Sequence, residues 1–277
     1  ALLTRLASSY VELEERLEQP LARNYPKATR ILRGGREQQA KDLALETRSR
    51  LGLGTAPIND LVNILENELG VRIFFHPLPS DIAGVYAFHE RSGACILVNS
   101  KHPKARQLWT LAHELGHLLT SRDTPSVLRT DTRDPSEYFA DLFAGAFLAP
   151  SSTVRRMHSE LSVAGFSPKH LILMSNRFGM SLEATCRRME RLGLLPKGTF
   201  EALRERGLDS KVVDAVLGSD ATAKSPGRPT RLLLLSALAY ERGIFSEQQI
   251  GSLLSLSLVG VRELLDALDT SEWGKLS

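Results

Sequence analysis

The feature that most limits how this chain can fold is a pair of histidines set inside an apolar helical run. Residues 103–120 carry Leu111, Leu115, Leu118 and Leu119 as a stripe at helical spacing, and among them stand His113, Glu114 and His117. Side chains four apart share a helix face, with about 6 Å between their Cβ atoms. Two imidazoles so placed can hold one metal ion. Trp109-Thr110-Leu111-Ala112 leads in as a buried helix does, and Gly116 leaves room for another element to approach closely. The competing reading is an amphipathic helix with histidines on its outer side, since the leucine stripe needs no metal.

Glu114 is offset by about 100° from His113 around the helix, so its carboxylate can lie beside the ion and reach a water there. That is the position of a general base, not of a third ligand. The pattern therefore points to metal-assisted hydrolysis, with zinc, or manganese, as the ion. A zinc that does chemistry wants three protein donors and one open position. Asp123 lies six residues after His117, where some related sites take a third donor past a helix-breaking glycine, but Thr120 occupies the glycine's place. Glu137 lies twenty residues after His117 in a helix opened by Pro135. The turn-rich stretch 121–134 lets that helix run antiparallel to the first, and Asp141 follows one turn later on the same face, able to accept a hydrogen bond from the far nitrogen of a ligand histidine. A carboxylate in a first helical turn is also favoured by the helix dipole with no metal at all. Glu137 is the preferred third donor and Asp123 the alternative.

The rest of the chain sets the frame. Its 277 residues and 42% hydrophobic content suit one large or two modest domains, and 24% charged residues exclude global disorder. A net charge of +3 is too small to argue for nucleic acid. Cys95 and Cys186 are isolated, which points to a reducing, cytoplasmic setting. Glu12, Glu14 and Glu15 stand in a helical pattern without a secretory h-region, and the longest uncharged run, 248–261, is too short to span a membrane, so no membrane segment is expected. Helices are expected at 2–19, 36–51 and 58–69, and the uncapped apolar opening suggests a piece of something longer. Strands are expected at 71–75, 84–88 and 94–98, the last two joined as a hairpin by Arg91-Ser92-Gly93. After Pro150 come helices at 151–159, 167–179, 181–192, 197–206 and 209–217, a linker at 218–230, and helices at 231–242, 246–254 and 258–268.

The expected fold is α+β and mostly helical: a small three-stranded antiparallel sheet packed on the active-site helix pair, followed by helical C-terminal segments. The expected domains are a helical extension at 1–56, the main domain at 57–218, a linker at 219–230 and a helix-turn-helix-like module at 231–277. A DNA-reading helix needs exposed Arg, Lys, Asn or Gln. The third helix of that module offers Arg262 among Glu263, Asp266 and Asp269, so an accessory or dimerisation role is preferred to DNA binding.

His113 to His117, followed by Glu137-Tyr138-Phe139-Ala140-Asp141-Leu142-Phe143-Ala144-Gly145-Ala146-Phe147-Leu148-Ala149-Pro150, resembles the ImmA/IrrE family of bacterial and phage metallopeptidases. Gly84-Val85-Tyr86, Ile96-Leu97-Val98-Asn99, Arg106 and Ser181-Leu182-Glu183-Ala184 are similar to it as well; Ala140 departs by one position. The resemblance covers about residues 57–195. It implies a zincin-like fold with gluzincin-like ligation by His113, His117 and Glu137. It implies cleavage of a DNA-bound repressor of Xre type or an antitoxin, relieving repression of stress, mobile-element or toxin–antitoxin genes. Members often carry an N-terminal Xre-type helix-turn-helix, and residues 2–19 resemble the linker helix that follows one.

In the expected mechanism the metal polarises the scissile carbonyl, and Glu114 takes a proton from water and returns it to the leaving amine. A peptide could add as a strand to the edge formed by 94–99. Tyr86, His89, Asn99, His102, Arg106 and Tyr138 are candidates for substrate or oxyanion contacts, and each also reads as a packing or surface residue. His76, His158 and His170 fit no ligand spacing. The rival function is a regulator, binding DNA or a partner, whose metal site is structural or sensory. Such a site closes its fourth position and has no use for a base at Glu114.

Overall fold

A computed structural model describes residues 2–129, 134–163, 165–208 and 229–268, with Val212 and Ala215. The expected helix at 209–217 lies almost wholly outside the described residues, as do most of the 218–230 linker, Asp131 and Asp269.

The chain begins with helices α1 (Leu2–Arg16) and α2 (Arg36–Arg50), then a short α3 (Leu61–Ile64) that continues as a wider turn over Leu65–Leu69. The expected helix at 58–69 starts later because the Asp60 side chain accepts from the Asn63 amide and caps it there. Strands β1 (Arg72–His76), β2 (Ile82–His89) and β3 (Gly93–Asn99) follow, then α4 (Lys104–Thr120), β4 (Ser126–Arg129) and α5 (Pro135–Leu148). The described helices after these are α6 (Ser151–Leu161), α7 (Pro168–Phe178), α8 (Leu182–Arg191), α9 (Thr199–Glu205), α10 (Thr230–Glu241), α11 (Glu247–Leu254) and α12 (Leu258–Leu268).

The class is α+β, but the sheet differs from the expected antiparallel triplet. It has four strands in the order β1-β3-β2-β4, with β1 parallel to β3 and the other pairs antiparallel. The β2–β3 hairpin forms as the turn residues require, with Gly93 at φ 63°. The fourth strand arises from the stretch read as a turn. Because β3 lies between β1 and β2, residues 94–99 are not an edge and cannot accept an added strand; the edges are β1 and β4.

The central strand divides two cores by the two-residue alternation of a strand. Ala94, Ile96 and Val98 face α4 with Leu108, Leu111 and Leu115. Cys95 and Leu97 face the other way, toward Tyr10 and Leu13 of α1 and toward Leu232, Leu235 and Ile250 of the C-terminal helices. A polar staple closes that second layer. Glu14 accepts from Arg72 (2.5 Å) and Arg231 (2.8 Å), and Tyr10 donates to Glu66 (2.8 Å). Both cysteines are free and buried. Among the described residues no helix is long and apolar enough to cross a membrane.

Helices α4 and α5 form the heart of the first layer. They cross where Gly116 meets Ala140: a Cβ on Gly116 would sit 3.2 Å from Ala140 Cα and 3.3 Å from Phe143 Cδ1. Helix α2 packs along α5, and the buried Arg48 clamps it by donating to the carbonyls of Phe147 (2.5 Å) and Gly54 (2.7 Å).

Candidate metal centre

The close crossing of α4 and α5 brings three donors together. Asp134 caps α5 by accepting from the Ser136 amide, and Pro135 stands in the first turn, so the helix starts with Glu137 facing α4. Glu137 Oε2 lies 3.0 Å from His113 Nε2, and Glu137 Oε1 lies 3.2 Å from His117 Nε2. The two Nε2 atoms are 3.2 Å apart. All three residues are buried, and their ligand atoms lie within 4.8 Å of one another, a group that could hold one metal ion.

The outer nitrogens are also engaged. Asp141 Oδ1 is 3.0 Å from His113 Nδ1, and Ser121 Oγ is 3.3 Å from His117 Nδ1. Partners at Nδ1 fix the ring orientations and leave each Nε2 for the centre. Burial opposes a charged His113, but the hydrogen bonds it donates to Asp141 and Glu137 and the charge of Glu114 outweigh it and raise the pKa to about 10. At Glu137 burial works upward, and the hydrogen bonds of both imidazoles bring the net value down to about 2. The triad is thus an anion facing imidazoles, the charge pattern a cation would replace.

Glu114 is fully buried beside the triad. One oxygen, Oε2, accepts from Ser126 Oγ at 2.8 Å. The other, Oε1, is buried with no partner among the described residues. Burial raises the Glu114 pKa, against the lowering effects of His113, His117 and the Ser126 bond. A buried carboxylate oxygen without a donor is costly unless a donor arrives in function. Gly84 of β2 makes room for it, since a Cβ there would lie 3.3 Å from Glu114 Oε1 and 2.4 Å from Thr110 Cγ2.

The structure thus gathers His113, His117, Glu137, Glu114 and Asp141, and it separates the remaining candidates. Asp123 is exposed and is not part of the three-donor group. Tyr86 spends its single hydroxyl proton on the Arg122 carbonyl (2.9 Å), so it has none for an oxyanion. Asn99 is wholly buried and clasps the loop after β1, donating to Pro79 O and Ile82 O and accepting from Leu78 N and Lys101 N. The Tyr138 hydroxyl is turned to Glu37 of α2 (3.4 Å). His102 reaches Ser80 O (3.1 Å), and His89 accepts from the Arg91 amide. Of that set, Arg106 lines a cleft of about 610 Å³ that Glu137 and Asp141 also line. Ser126 and Ser121 were not foreseen, and Gly84 was noted from the sequence without a role at the site. Ser121 follows His117 by four and was open to the same periodicity argument; Ser126 was not, because its strand pairs with β2 some forty residues earlier.

A buried helix pair brings two imidazoles and a carboxylate together as a group that could hold one metal ion, with a second carboxylate beside them. Residues 66–190 match the peptidase M78 family model, the IrrE N-terminal-like domain, and this match supports an ImmA/IrrE-family metallopeptidase. No curated protein matches the chain.

Proposed function

We propose that the chain is a metal-dependent endopeptidase in which His113, His117 and Glu137 hold one zinc or manganese ion and Glu114 is the general base. The observation that carries this is the Glu114 carboxylate, fully buried, with Oε2 fastened by Ser126 and Oε1 without a partner among the described residues, next to the triad. Nitrogen and carboxylate donors in a set of three suit such an ion with one position left over. When bound, the ion supplies a Lewis acid for the scissile carbonyl and for water. Ser126 fixes the Glu114 carboxylate so that Oε1 can take a proton from water and pass it to the departing amine. Asp141 and Ser121 hold the two imidazoles in register. Arg106 is the cleft residue available to a developing oxyanion or to the peptide.

The natural substrate we propose is a protein, a DNA-bound repressor of Xre type or an antitoxin, cleaved in the cytoplasm in a stress, mobile-element or toxin–antitoxin setting; the family relationship supports this. The domain plan we propose keeps 57–218 as the peptidase, with 1–56 as an extension and 231–277 as a helical module that docks rather than reads DNA. Arg262 in α12 is paired with Glu247 (3.0 Å), and the helix opens with exposed Leu258 and Val259, which favours a protein contact. A closed structural site is disfavoured by the unpaired Glu114 oxygen.

The test uses zinc- or manganese-loaded protein with candidate repressors from the same locus. Glu114→Gln should keep metal stoichiometry and lose cleavage by about 10²–10⁴-fold. Glu137→Ala should lose the metal. Cleavage at the native rate by Glu114→Gln, or unchanged metal content in Glu137→Ala, would refute the assignment.

A further inference from the structure

The cleft beside the candidate centre has an unbalanced charge at one end. Four arginines line it: Arg106 from α4, and Arg187, Arg188 and Arg191 from α8. The α8 residues recur at helical spacing with Ala184, so one face of that helix is the wall. Arg187 is neutralised by Glu201 and Glu190 (3.5 Å to the latter). The other three make no ion pair among the described residues. Arg188 donates through Nε to the Ala149 carbonyl at 3.1 Å, while its Nη2 is buried with no acceptor among the described residues. The acids of the cleft are engaged elsewhere: Glu137 and Asp141 face the imidazoles, and Glu183 faces Arg187 (3.8 Å). Glu37 of α2 is the acid whose field reaches Arg188, and it forms no ion pair with it.

Position along the helices sets the distance. The Arg188 Cδ lies 3.8 Å from where a Cβ on Gly145 would stand, and Trp109 packs on the same spot at 3.5 Å. Gly145 is two turns beyond Glu137, about 12 Å at 1.5 Å per residue, and Arg106 is about 10 Å before His113 on the antiparallel helix. Both routes end at the same end of the cleft. An extended peptide covers that span in about three to four residues.

We propose that this arginine wall is a subsite for an acidic side chain of the substrate, three or four residues from the bond that is cut, with Arg188, Arg191 and Arg106 as specificity-determining residues. The proposal rests on the peptidase reading. A guanidinium with an unpaired, desolvated N–H favours a carboxylate over its amide isostere, because the carboxylate accepts a stronger, charge-assisted bond and can take a second N–H on its other oxygen, whereas the amide offers one neutral acceptor. The peptide class that fits is neutral around the scissile bond with Glu or Asp at that distance.

The experiment uses metal-loaded protein and a neutral decapeptide library into which a single Glu, Gln as its isostere, or Lys is walked through each position. Cleavage sites are read by mass spectrometry. Binding of the same peptides to metal-loaded Glu114→Gln protein is read by fluorescence anisotropy. Glu three or four residues from the cut should be preferred over Gln by about tenfold, fading at high salt. Arg188→Gln with Arg191→Gln should bring the preference to within about twofold, and Arg191→Glu should shift it toward Lys, a reversal that structural damage does not produce. Equal binding of Glu and Gln peptides by the Glu114→Gln protein, absence of binding, or a preference intact in the double variant would overturn the subsite. Cleavage of no peptide by metal-saturated native protein, with the Glu preference present in binding, would instead sink the peptidase reading and leave the subsite standing.

Discussion

Gly84→Ala probes the contact that seats α4 on the sheet. The new Cβ would lie 2.4 Å from Thr110 Cγ2, 3.2 Å from the Leu97 carbonyl and 3.3 Å from Glu114 Oε1. The first contact is about 1 Å short of ordinary van der Waals separation, so α4 or β2 must move. Overpacking of this kind costs about 1–3 kcal/mol. Alanine recovers about 0.4–1 kcal/mol by narrowing the unfolded ensemble, because Gly84 is not among the residues with positive φ. The expected net loss is about 1–2 kcal/mol. Thr110→Ser removes the opposing methyl, costs about 1 kcal/mol by itself, and keeps the hydroxyl bond to the Arg106 carbonyl (2.9 Å). In the double variant the methyl introduced at position 84 fills the space that Cγ2 leaves. The two changes should therefore couple favourably by about 1–2 kcal/mol in urea unfolding of the four proteins. Cleavage should fall in Gly84→Ala and recover only in part in the double variant, since the contact with Glu114 Oε1 remains. Additive stabilities within about 0.3–0.5 kcal/mol would refute the packing argument.

Three further outcomes follow from the site. Ser126→Ala removes a hydrogen bond that lowers the Glu114 pKa, so the acidic limb of kcat/KM should move to higher pH; an unmoved limb would show that Glu114 is not the titrating base. Asp141→Asn should weaken metal affinity by about 10–100-fold through His113, measured by competition with a chelating dye, and native affinity would remove Asp141 from its supporting role. In chelator, His113, raised from 6.5 to about 10, adds stability that is complete below pH 6.5 and lost as pH rises through 10. Glu137, lowered from 4.5 to about 2, adds stability that is complete above pH 4.5 and lost as pH falls through 2. The Tm advantage of the native chain over His113→Ala should thus be greatest between about pH 4.5 and 6.5 and shrink toward pH 10; an advantage that grows over pH 7–9 would contradict the charge arrangement.

The sequence by itself determined the parts of this protein that depend on near neighbours. Helical periodicity and Pro135 placed α4 and α5, the four-residue spacing aligned His113 with His117, and the turn at Arg91-Ser92-Gly93 paired β2 with β3. Tertiary structure decided what depends on residues far apart in the chain. It recruited Ser126–Arg129 as an edge strand beside β2, which carries Ser126 to Glu114, and it set β1 parallel to β3 so that residues 94–99 became the centre of the sheet. It also joined α1 to the C-terminal helices on the far face through Glu14, Arg72 and Arg231. A helix satisfies its backbone hydrogen bonds within itself and writes its burial into a local period, whereas a short strand and a buried ion pair are satisfied only by partners that no local pattern names.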